Sequence, residues 1–285
     1  MIVMDLSQVV IAAIMTQLDT KNELNMDIFR HIVLSVIRSN LNKFKDKYGK
    51  NLVIACDNKN VWRKQVFPYY KAHRKVDREE SSINWGEVFK MINTMKEELK
   101  EFFPYCVVDI ESVEADDVIA TMCEQYGVEL GSGQESILIL SGDKDFVQLQ
   151  KYSNVSQYDP IRKKQITTND PFRFLMEHIL KGDRGDGIPN VLSQDDIIVT
   201  GGRQRSLTQK KIEAYIVDMS TADIDVQRNF ERNKMLIDFT SIPQNIKQLV
   251  INSYNEQNGN KTRQKLFDYF SKMRLKNLTE HIGEY

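Results

Sequence analysis

Short apolar runs alternate with longer amphipathic stretches in the first half of the chain. Four of the runs predict strands that are buried on both faces: Met1–Leu6, Asn51–Asp57, Pro104–Ile110 and Ser136–Gly142. Three stretches with apolar residues at i, i+3, i+4 and i+7 lie between them and predict helices: Met26–Tyr48, Trp85–Phe103 and Glu114–Tyr126. This alternation is typical of an α/β fold, in which helices flank a mostly parallel central sheet.

The pattern changes after Pro171, where no apolar run predicts a further strand. Amphipathic stretches predict helices instead, at Phe172–Lys181, Leu207–Met219, Asp225–Phe239, Pro243–Glu256 and Thr262–Arg274. We therefore expect an α/β domain over residues 1–180 and an all-helical domain over residues 181–285. A length of 285 residues allows both.

Composition places the chain among folded, soluble proteins and removes several functions. The 39 basic and 40 acidic residues give a formal net charge of −1, so polyanion binding would have to come from local clusters of charge. The cysteines form no C-x-x-C pair, which disfavours a disulfide scaffold or a structural zinc site and fits a reducing cytosol. No apolar stretch is long enough to span a membrane, and the run Val9–Met15 lacks the basic flank of a secretion signal.

One segment, residues 58–84, is locally basic and aromatic. Between residues 59 and 78 it carries seven basic residues against one acid, a net charge of +6. Basic side chains interleaved with aromatic rings bind nucleic acid through phosphate contacts and base stacking. The residues expected to do so are Arg63, Lys64, Tyr69, Tyr70 and Lys75. The alternative is a solvated charged loop, and we expect few buried contacts here and disorder without a ligand.

Carboxylates follow the ends of all four predicted strands. They are Asp5, Asp57, Glu114, Asp116, Asp117, Asp143 and Asp145. Because the carboxyl ends of parallel strands share one edge of the sheet, these acids would face one crevice. Carboxylates in contact raise one another's pKa and destabilise the fold unless a cation joins them. Oxygen ligands suit Mg²⁺ or Mn²⁺, and two such ions about 3.5–4 Å apart would support hydrolysis of a phosphodiester.

Taken singly, several of these residues also fit ordinary structural roles. Asp117 suits the first turn of a helix, and Asp143 suits a helix cap. Asp183 and Asp186 lie in a Gly-rich loop at the domain junction, which is either a plain turn or a loop that presents acids to the cleft.

A second basic cluster follows the junction loop. It contains Arg203, Arg205, Lys210 and Lys211, with no acid between residues 201 and 211. We expect Ser206 to cap the next helix and leave its amides available to a backbone phosphate. A solvated loop is again the alternative.

Six motifs resemble those of the structure-specific 5′ nucleases, the flap endonuclease and 5′→3′ exonuclease family, and they occur in the family's order. They are MDLSQ, ACDN, YYKAHRK, VEADD, SGDKDF and KGDRGDGIP. The resemblance covers nearly the whole chain and is strongest to the branch formed by the ribonucleases H of T-even bacteriophages. It implies a 5′-nuclease, PIN-like fold with a helical arch at about residues 58–84. It also implies an enzyme that removes RNA primers and adjacent DNA from lagging-strand fragments.

The resemblance further implies roles for individual residues. Lys71 and Arg74, at the base of the arch, would engage the scissile phosphate. Two Mg²⁺ ions, replaceable by Mn²⁺, would bind in the crevice. The first would be held by Asp5, Asp57, Asp116 and Asp143, and the second would be lined by Glu114, Asp117, Asp145, Asp183 and Asp186, several of them through water. The helices after Lys181 would grip the duplex backbone.

The chain departs from the family pattern beyond the junction loop. Gly187 stands where many members have Asn, and residues 191–205 lack the G-x-G-x-K-T hairpin that binds phosphate and often K⁺. A K⁺ site is therefore not carried over to this chain, and the duplex grip would fall to the second basic cluster. Because the chain begins almost at the first predicted strand, we expect no clamp-binding arm before it.

Substrates and partners are implied by the same resemblance. The substrates would be RNA–DNA and DNA duplexes with 5′ ends or flaps, and a single-strand DNA-binding protein and a sliding clamp would be replication partners. The protein would be a monomer in the cytoplasm, which is the host's cytoplasm for a phage protein.

Two other functions fit part of this pattern. A PIN-type endoribonuclease shares the acid-ended parallel sheet but is usually much shorter. A non-catalytic binder of branched DNA would keep the fold and replace the acids, yet all nine acidic positions are intact. The four histidines, His31, His73, His178 and His281, are scattered, and we expect them to be structural.

Overall fold

A computed structural model describes residues 1–16, 24–127, 135–257 and 263–285. Within these ranges six strands form one sheet in the order β3-β2-β1-β4-β5-β6. The strands are β1 (Ile2–Asp5), β2 (Leu52–Ala55), β3 (Cys106–Val108), β4 (Ile137–Leu140), β5 (Val155–Asp159) and β6 (Lys164–Ile166). The first five pair in parallel, and β6 runs antiparallel to β5 at the edge.

The helices of the described ranges are numbered in chain order. They are α1 (Leu6–Met15), α2 (Met26–Tyr48), α3 (Arg63–Val66), α4 (Arg74–Glu79), α5 (Trp85–Phe102), α6 (Ala115–Tyr126), α7 (Pro171–Lys181), α8 (Gln209–Val217), α9 (Ile224–Ile237), α10 (Gln244–Gln257), α11 (Arg263–Lys272) and α12 (Lys276–Thr279). None of them is long and apolar enough to cross a membrane.

The predicted fold class is confirmed, and the structure adds two strands and two helices to the predicted elements. The four predicted strands are neighbours in the sheet, with β3 at one edge, whereas β5 and β6 beyond β4 and the helices α1 and α12 were not predicted. In β5 the sequence is VSQYD and in β6 it is KQI, so neither shows the apolar run of a buried strand.

Helices cover both faces of the sheet. On one face, α1, α2, α5 and α11 pack against apolar side chains such as Ile2 and Met4. On the other face, α6 and α10 pack against side chains such as Val3 and Val53. The C-terminal helices α10 and α11 therefore complete the core of the sheet from opposite sides, and the division of the chain at residue 180 stays a prediction.

A third apolar cluster joins the basic segment to helices α7 and α9. Phe67 and Tyr70 are buried against Ile179, Ile188 and Phe230. The expectation that residues 59–78 make few buried contacts is therefore wrong. The aromatic residues that suggested base stacking include two that anchor this segment to the helical part of the chain instead.

Candidate functional site

The parallel strands bring the predicted acids to one edge of the sheet. Asp5 ends β1 and caps α1, where its carboxylate accepts a hydrogen bond from the Gln8 amide at 3.0 Å. Asp57 follows β2 and accepts one from the Ala115 amide, also at 3.0 Å. Asp143 follows β4 and caps a 3-10 turn by accepting a hydrogen bond from the Asp145 amide at 2.9 Å.

Four of these acids influence one another across the crevice. The pKa of Asp5 is raised to about 8, chiefly by burial, and the charges of Asp57 and Asp143 contribute to that rise. Burial likewise raises the pKa of Asp116 well above its ordinary value; Lys71 opposes this rise, and the charges of Asp143 and Asp5 add to it. The first predicted metal set therefore shares one crevice, and in the described ranges none of its four carboxylates forms an ion pair with a lysine or arginine.

A second group lies beside it and includes an unexpected histidine. Ligand atoms of Asp145, His178 and Asp183 all lie within 4.8 Å of one another, and no other such trio occurs in the described ranges. His178 Nε2 is 3.0 Å from Asp183 Oδ2, and Nδ1 is 3.6 Å from Asp145 Oδ1. His178 was expected to be structural, and its only sequence signal is its position five residues before Asp183.

The carboxyl groups on either side of His178 have opposite pKa shifts. The pKa of Asp145 is raised to about 7, chiefly by burial and next by the charge of Asp143. Burial would also raise the pKa of Asp183, but hydrogen bonds from His178 and Lys144 outweigh it and lower that pKa. Lys144 Nζ lies 2.8 Å from Asp183 Oδ2.

Glu114 and Asp117 are held by cations of the basic segment. Arg63 Nη1 lies 2.7 Å from Glu114 Oε2 and 2.8 Å from Asp117 Oδ1. Lys71 Nζ donates to the other Glu114 oxygen at 2.7 Å, and Trp62 Nε1 donates to Asp117 Oδ2 at 3.1 Å. Both oxygens of each carboxylate are therefore engaged by the protein.

The pKa values of Glu114 and Asp117 are shifted in opposite directions, although both carboxylates pair with Arg63. Burial would raise the pKa of Glu114, but Lys71 and Arg63 outweigh it and lower the value to about 2. The pKa of Asp117 is raised instead, because this fully buried group has only Arg63 as a charged partner and lies beside Glu114.

The junction loop closes against the base of the same segment. Arg74 donates to Asp186 Oδ1 at 2.6 Å and to the Gly185 carbonyl at 2.9 Å. The Lys71 amide donates to the Asp186 carbonyl at 2.7 Å, and Tyr70 Oη donates to Asp186 Oδ2 at 3.0 Å. A Cβ at Gly187 would lie 2.9 Å from the Tyr69 carbonyl oxygen, so this close approach explains the glycine that departs from the family pattern.

Comparison with known proteins matches both parts of the chain. Residues 5–177 match the family model of the 5′-3′ exonuclease N-terminal resolvase-like domain, and residues 172–285 match that of the C-terminal domain of T4 RNase H. The chain belongs to the 5′→3′ exonuclease family. It is therefore a nuclease, an enzyme that hydrolyses phosphodiester bonds.

Relatives of this nuclease agree with the resemblance in the sequence. It is 34% identical over 292 aligned residues to ribonuclease H of Enterobacteria phage T4, covering 99% of this chain and 94% of that protein. It is 31% identical over 142 residues to flap endonuclease Xni of Shewanella sp. strain ANA-3, covering 46% of this chain and 48% of that protein. The predicted resemblance to the family and to its T-even branch is confirmed.

Solved structures show the same fold. The phage T5 D15 protein co-crystallised with metal ions superposes with a TM-score of 0.60 at 17% identity, over 90% of this chain and 98% of that one. The T5 5′-exonuclease with bound zinc ions gives a TM-score of 0.61 at 16% identity, over 90% and 99%. These likenesses confirm the PIN-like architecture of the nuclease.

The residues predicted to bind nucleic acid fall into two groups in this nuclease. Arg63 and Tyr70 are each 2% exposed, so the structure places them in the interior rather than on a binding surface. The others lie at the surface: Lys64, Tyr69, Lys75, Arg203, Arg205, Lys210 and Lys211. The cap predicted at Ser206 is wrong, because Thr208 caps α8 by accepting a hydrogen bond from the Lys211 amide at 3.4 Å.

Proposed function

We propose that this nuclease is a divalent-metal-dependent 5′→3′ exonuclease and flap endonuclease with ribonuclease H activity. In this role it removes RNA primers and adjacent DNA from lagging-strand fragments during replication. The observation that carries the proposal is the crevice at the carboxyl edge of the sheet, where buried acids with raised pKa values lie beside the cations Lys71 and Arg74. The full-length likeness to a protein named ribonuclease H supports the RNA-directed part.

Two Mg²⁺ ions are the proposed cofactors, and Mn²⁺ would substitute. The residues fit such ions because four carboxyl groups with raised pKa values share one crevice, and a cation would relieve their repulsion. When bound, such ions supply an activated water and stabilise the leaving oxygen. Asp5, Asp57, Asp116 and Asp143 would hold the first ion.

The second ion would lie nearest Asp145. The remaining predicted acids, Glu114, Asp117, Asp183 and Asp186, are already bonded to protein groups, so direct contact with an ion would require each to give up a partner. Contact through water requires no such exchange. We propose no K⁺ site.

Lys71 and Arg74 would neutralise the charge that develops on the scissile phosphate. Both belong to the basic segment and reach the crevice, where Glu114 and Asp186 hold them in place. A phosphate would compete with these carboxylates for the same cations. Arg74 suits a bidentate contact, and Lys71 suits a point contact.

The exposed cations and Tyr69 would bind the rest of the substrate. Lys64 and Lys75 are exposed on the basic segment and would contact phosphates there, and the second basic cluster, around the start of α8, would supply the duplex grip. Arg63 and Tyr70 would support this surface from the interior. At a replication fork the protein would act as a monomer in the host cytoplasm and meet a single-strand DNA-binding protein and a sliding clamp.

The deciding experiment uses 5′-labelled duplexes that carry either an RNA primer or a short DNA flap. We expect short 5′ products from both, only when Mg²⁺ or Mn²⁺ is present, and the product ladder separates stepwise cutting from flap cutting. Binding without cleavage under every metal condition would indicate a non-catalytic DNA-binding protein. Cleavage of free single-stranded RNA alone would indicate a PIN-type endoribonuclease.

A further inference from the structure

His178 occupies an unusual position between two carboxylates. It lies near the end of α7 and is 7% exposed. Its Nε2 atom is within hydrogen-bond distance of Asp183 Oδ2, at 3.0 Å. Its Nδ1 atom faces Asp145 Oδ1 at 3.6 Å, which is too long for a hydrogen bond. His178 Nδ1 and Asp145 Oδ1 are both buried, and neither atom has a hydrogen-bond partner.

Two unpartnered polar atoms that face each other need an explanation. Burying a polar atom without a hydrogen-bond partner is unfavourable, because the atom loses its bonds to water and gains none in exchange. An imidazole nitrogen and a carboxylate oxygen are both electron-pair donors, so a cation between them satisfies both. Two ligands at about 2.0–2.2 Å from one ion, near the tetrahedral angle, lie about 3.4 Å apart. The observed separation of 3.6 Å matches that geometry.

Asp183 is placed to orient the imidazole. In metal sites the second ring nitrogen of a ligating histidine usually donates to a carboxylate, which fixes the tautomer and aims the first nitrogen at the metal. Asp183 Oδ2 accepts from Nε2, Lys144 pairs with the same oxygen at 2.8 Å, and the Asp186 amide donates to Oδ1 at 3.2 Å. All these contacts fix Asp183 on the side of the ring away from Asp145.

The backbone around the site enforces this arrangement. Gly182 has a φ of +68°, and a Cβ there would lie 2.4 Å from the Ile188 carbonyl oxygen. This sharp turn at the end of α7 brings Asp183 back to His178 on the same helix. On the other side, the bond from the Asp145 amide to Asp143 holds the 3-10 turn that presents Asp145.

We infer that His178 Nδ1 and Asp145 Oδ1 are two ligands of the second divalent ion, and that Asp183 orients His178 instead of binding that ion. The inference rests on the proposed function, which requires divalent ions in this crevice. A nitrogen ligand disfavours Mg²⁺ relative to Mn²⁺, Co²⁺ and Zn²⁺. The second site therefore prefers Mn²⁺ to the Mg²⁺ of the proposed function, and this preference is stronger there than at the all-carboxylate first site.

The test is a titration of the untagged, full-length protein with Mn²⁺, followed by pulsed electron paramagnetic resonance. We expect two bound ions, with a ¹⁴N coupling that belongs to one of them and changes to ¹⁵N in protein labelled with [¹⁵N]histidine. His178→Gln should abolish the coupling. It should also weaken that ion's binding at least as much as the loss of a residue that orients a ligand, which costs about 10–100-fold. Asp183→Asn should keep the coupling and weaken binding within that range. His31→Gln, at an exposed histidine, is the matched control and should change neither.

The alternative is a histidine that bridges two carboxylates as a cation. It predicts Mn²⁺ binding with no histidine nitrogen coupling, and that result would overturn the inference while leaving the proposed function standing. The ¹⁵N-labelled wild-type protein gives this answer even if His178→Gln fails to fold. A wild-type protein that binds no Mn²⁺ and cleaves neither duplex would overturn the proposed function itself.

Discussion

The acids at the carboxyl edge of the sheet form two clusters with opposite surroundings. In the open cluster, Asp5, Asp116, Asp143 and Asp145, burial and mutual repulsion raise the pKa values. In the paired cluster, Glu114 and Asp186 are bonded to Arg63, Lys71 and Arg74. The acids of both clusters are buried or partly buried, so the difference lies in the cations that the protein supplies.

This difference suggests that the open cluster serves metal binding and that the paired cluster serves stability. Cations of the basic segment satisfy the paired cluster, and in doing so they attach that segment to α6 and to the junction loop. The acids of the open cluster form no ion pair with Lys or Arg among the described residues, although the charge of Lys71 acts on Asp116 and Asp143 from a distance. They should therefore keep their affinity for ions from solution. Changes in the open cluster should therefore affect catalysis and metal binding, whereas changes in the paired cluster should affect stability.

Asp143→Asn in the open cluster should have the largest effect. We expect the cleavage rate with Mg²⁺ to fall at least about 10³-fold, because a lost metal ligand removes several kcal/mol of stabilisation and each 1.36 kcal/mol is a factor of ten. Binding of the duplex should change little. Single-turnover cleavage and fluorescence anisotropy measure the two quantities.

Asp268→Asn, an exposed acid on α11, is the matched control for this variant. It should cleave at the wild-type rate. Near-normal rates for Asp143→Asn with Mg²⁺ would show that the open cluster does not hold the catalytic ions.

Arg63→Met tests the paired cluster. Removing Arg63 leaves the buried Asp117 without its cation and leaves Glu114 paired with Lys71 alone, so the free energy of unfolding should fall by about 3–5 kcal/mol. Urea denaturation measures it. Lys75→Met, on a side chain that is 84% exposed, should change stability by less than about 0.5 kcal/mol. A small loss for Arg63→Met would mean that these contacts do not anchor the segment.

The open cluster could be predicted from the sequence because topology alone brings it together. Parallel strands end at one edge, so Asp5 and Asp143 of this cluster meet each other, and the neighbouring Asp57, whatever the intervening segments do. No long-range side-chain contact had to be known. Strands β1 to β4 could likewise be predicted without any long-range contact, because each contains an apolar run. The polar strand β5 contains none and was not predicted. In β5, Gln157 is fully buried, and its side-chain amide donates a hydrogen bond to the Ser141 carbonyl at 3.0 Å. This bond makes the burial of a polar side chain tolerable, and no hydrophobic pattern reveals it.

The paired cluster and His178 could not be predicted because tertiary packing alone creates them. Arg63 and Lys64 are adjacent basic residues, yet packing of α3 against α9 buries the first and leaves the second exposed. Charge counting treats them alike. His178 meets Asp145 only because α7 packs beside the 3-10 turn at residues 144–151. A scattered histidine gives no sign of such a partner in sequence.

Asp5→Asn should stabilise the metal-free protein, opposite to the effect of Arg63→Met. The pKa of Asp5 is about 8 in the folded state against 3.8 ordinarily, so the folded state binds this proton more tightly. The free energy of unfolding should therefore fall as the pH rises from about 4 to 8. Asp5→Asn should remove about 1–3 kcal/mol of that fall.

Urea denaturation in EDTA at pH 5 and pH 8 measures this prediction, with Asp268→Asn as the control. Adding Mg²⁺ at pH 8 should narrow the gap between wild type and Asp5→Asn. If both proteins lose stability in parallel between pH 5 and pH 8, repulsion in the open cluster is not a source of strain.

The smallest expected effect is on the salt dependence of substrate binding, which should differ between a cation that is paired in the free protein and one that is not. Lys210 is exposed and forms no ion pair among the described residues, whereas Arg74 is bonded to Asp186. Lys210→Ala should reduce the slope of log affinity against log salt by about 0.9, the value for one phosphate contact. Arg74→Ala should reduce it less, because a phosphate must first displace Asp186. Anisotropy titrations in the Asp143→Asn background measure both slopes, with Lys265→Ala on α11 as the control. Equal changes of slope for Arg74→Ala and Lys210→Ala would show that Asp186 does not stay paired with Arg74 in solution. The paired cluster would then consist of Glu114 and its cations alone.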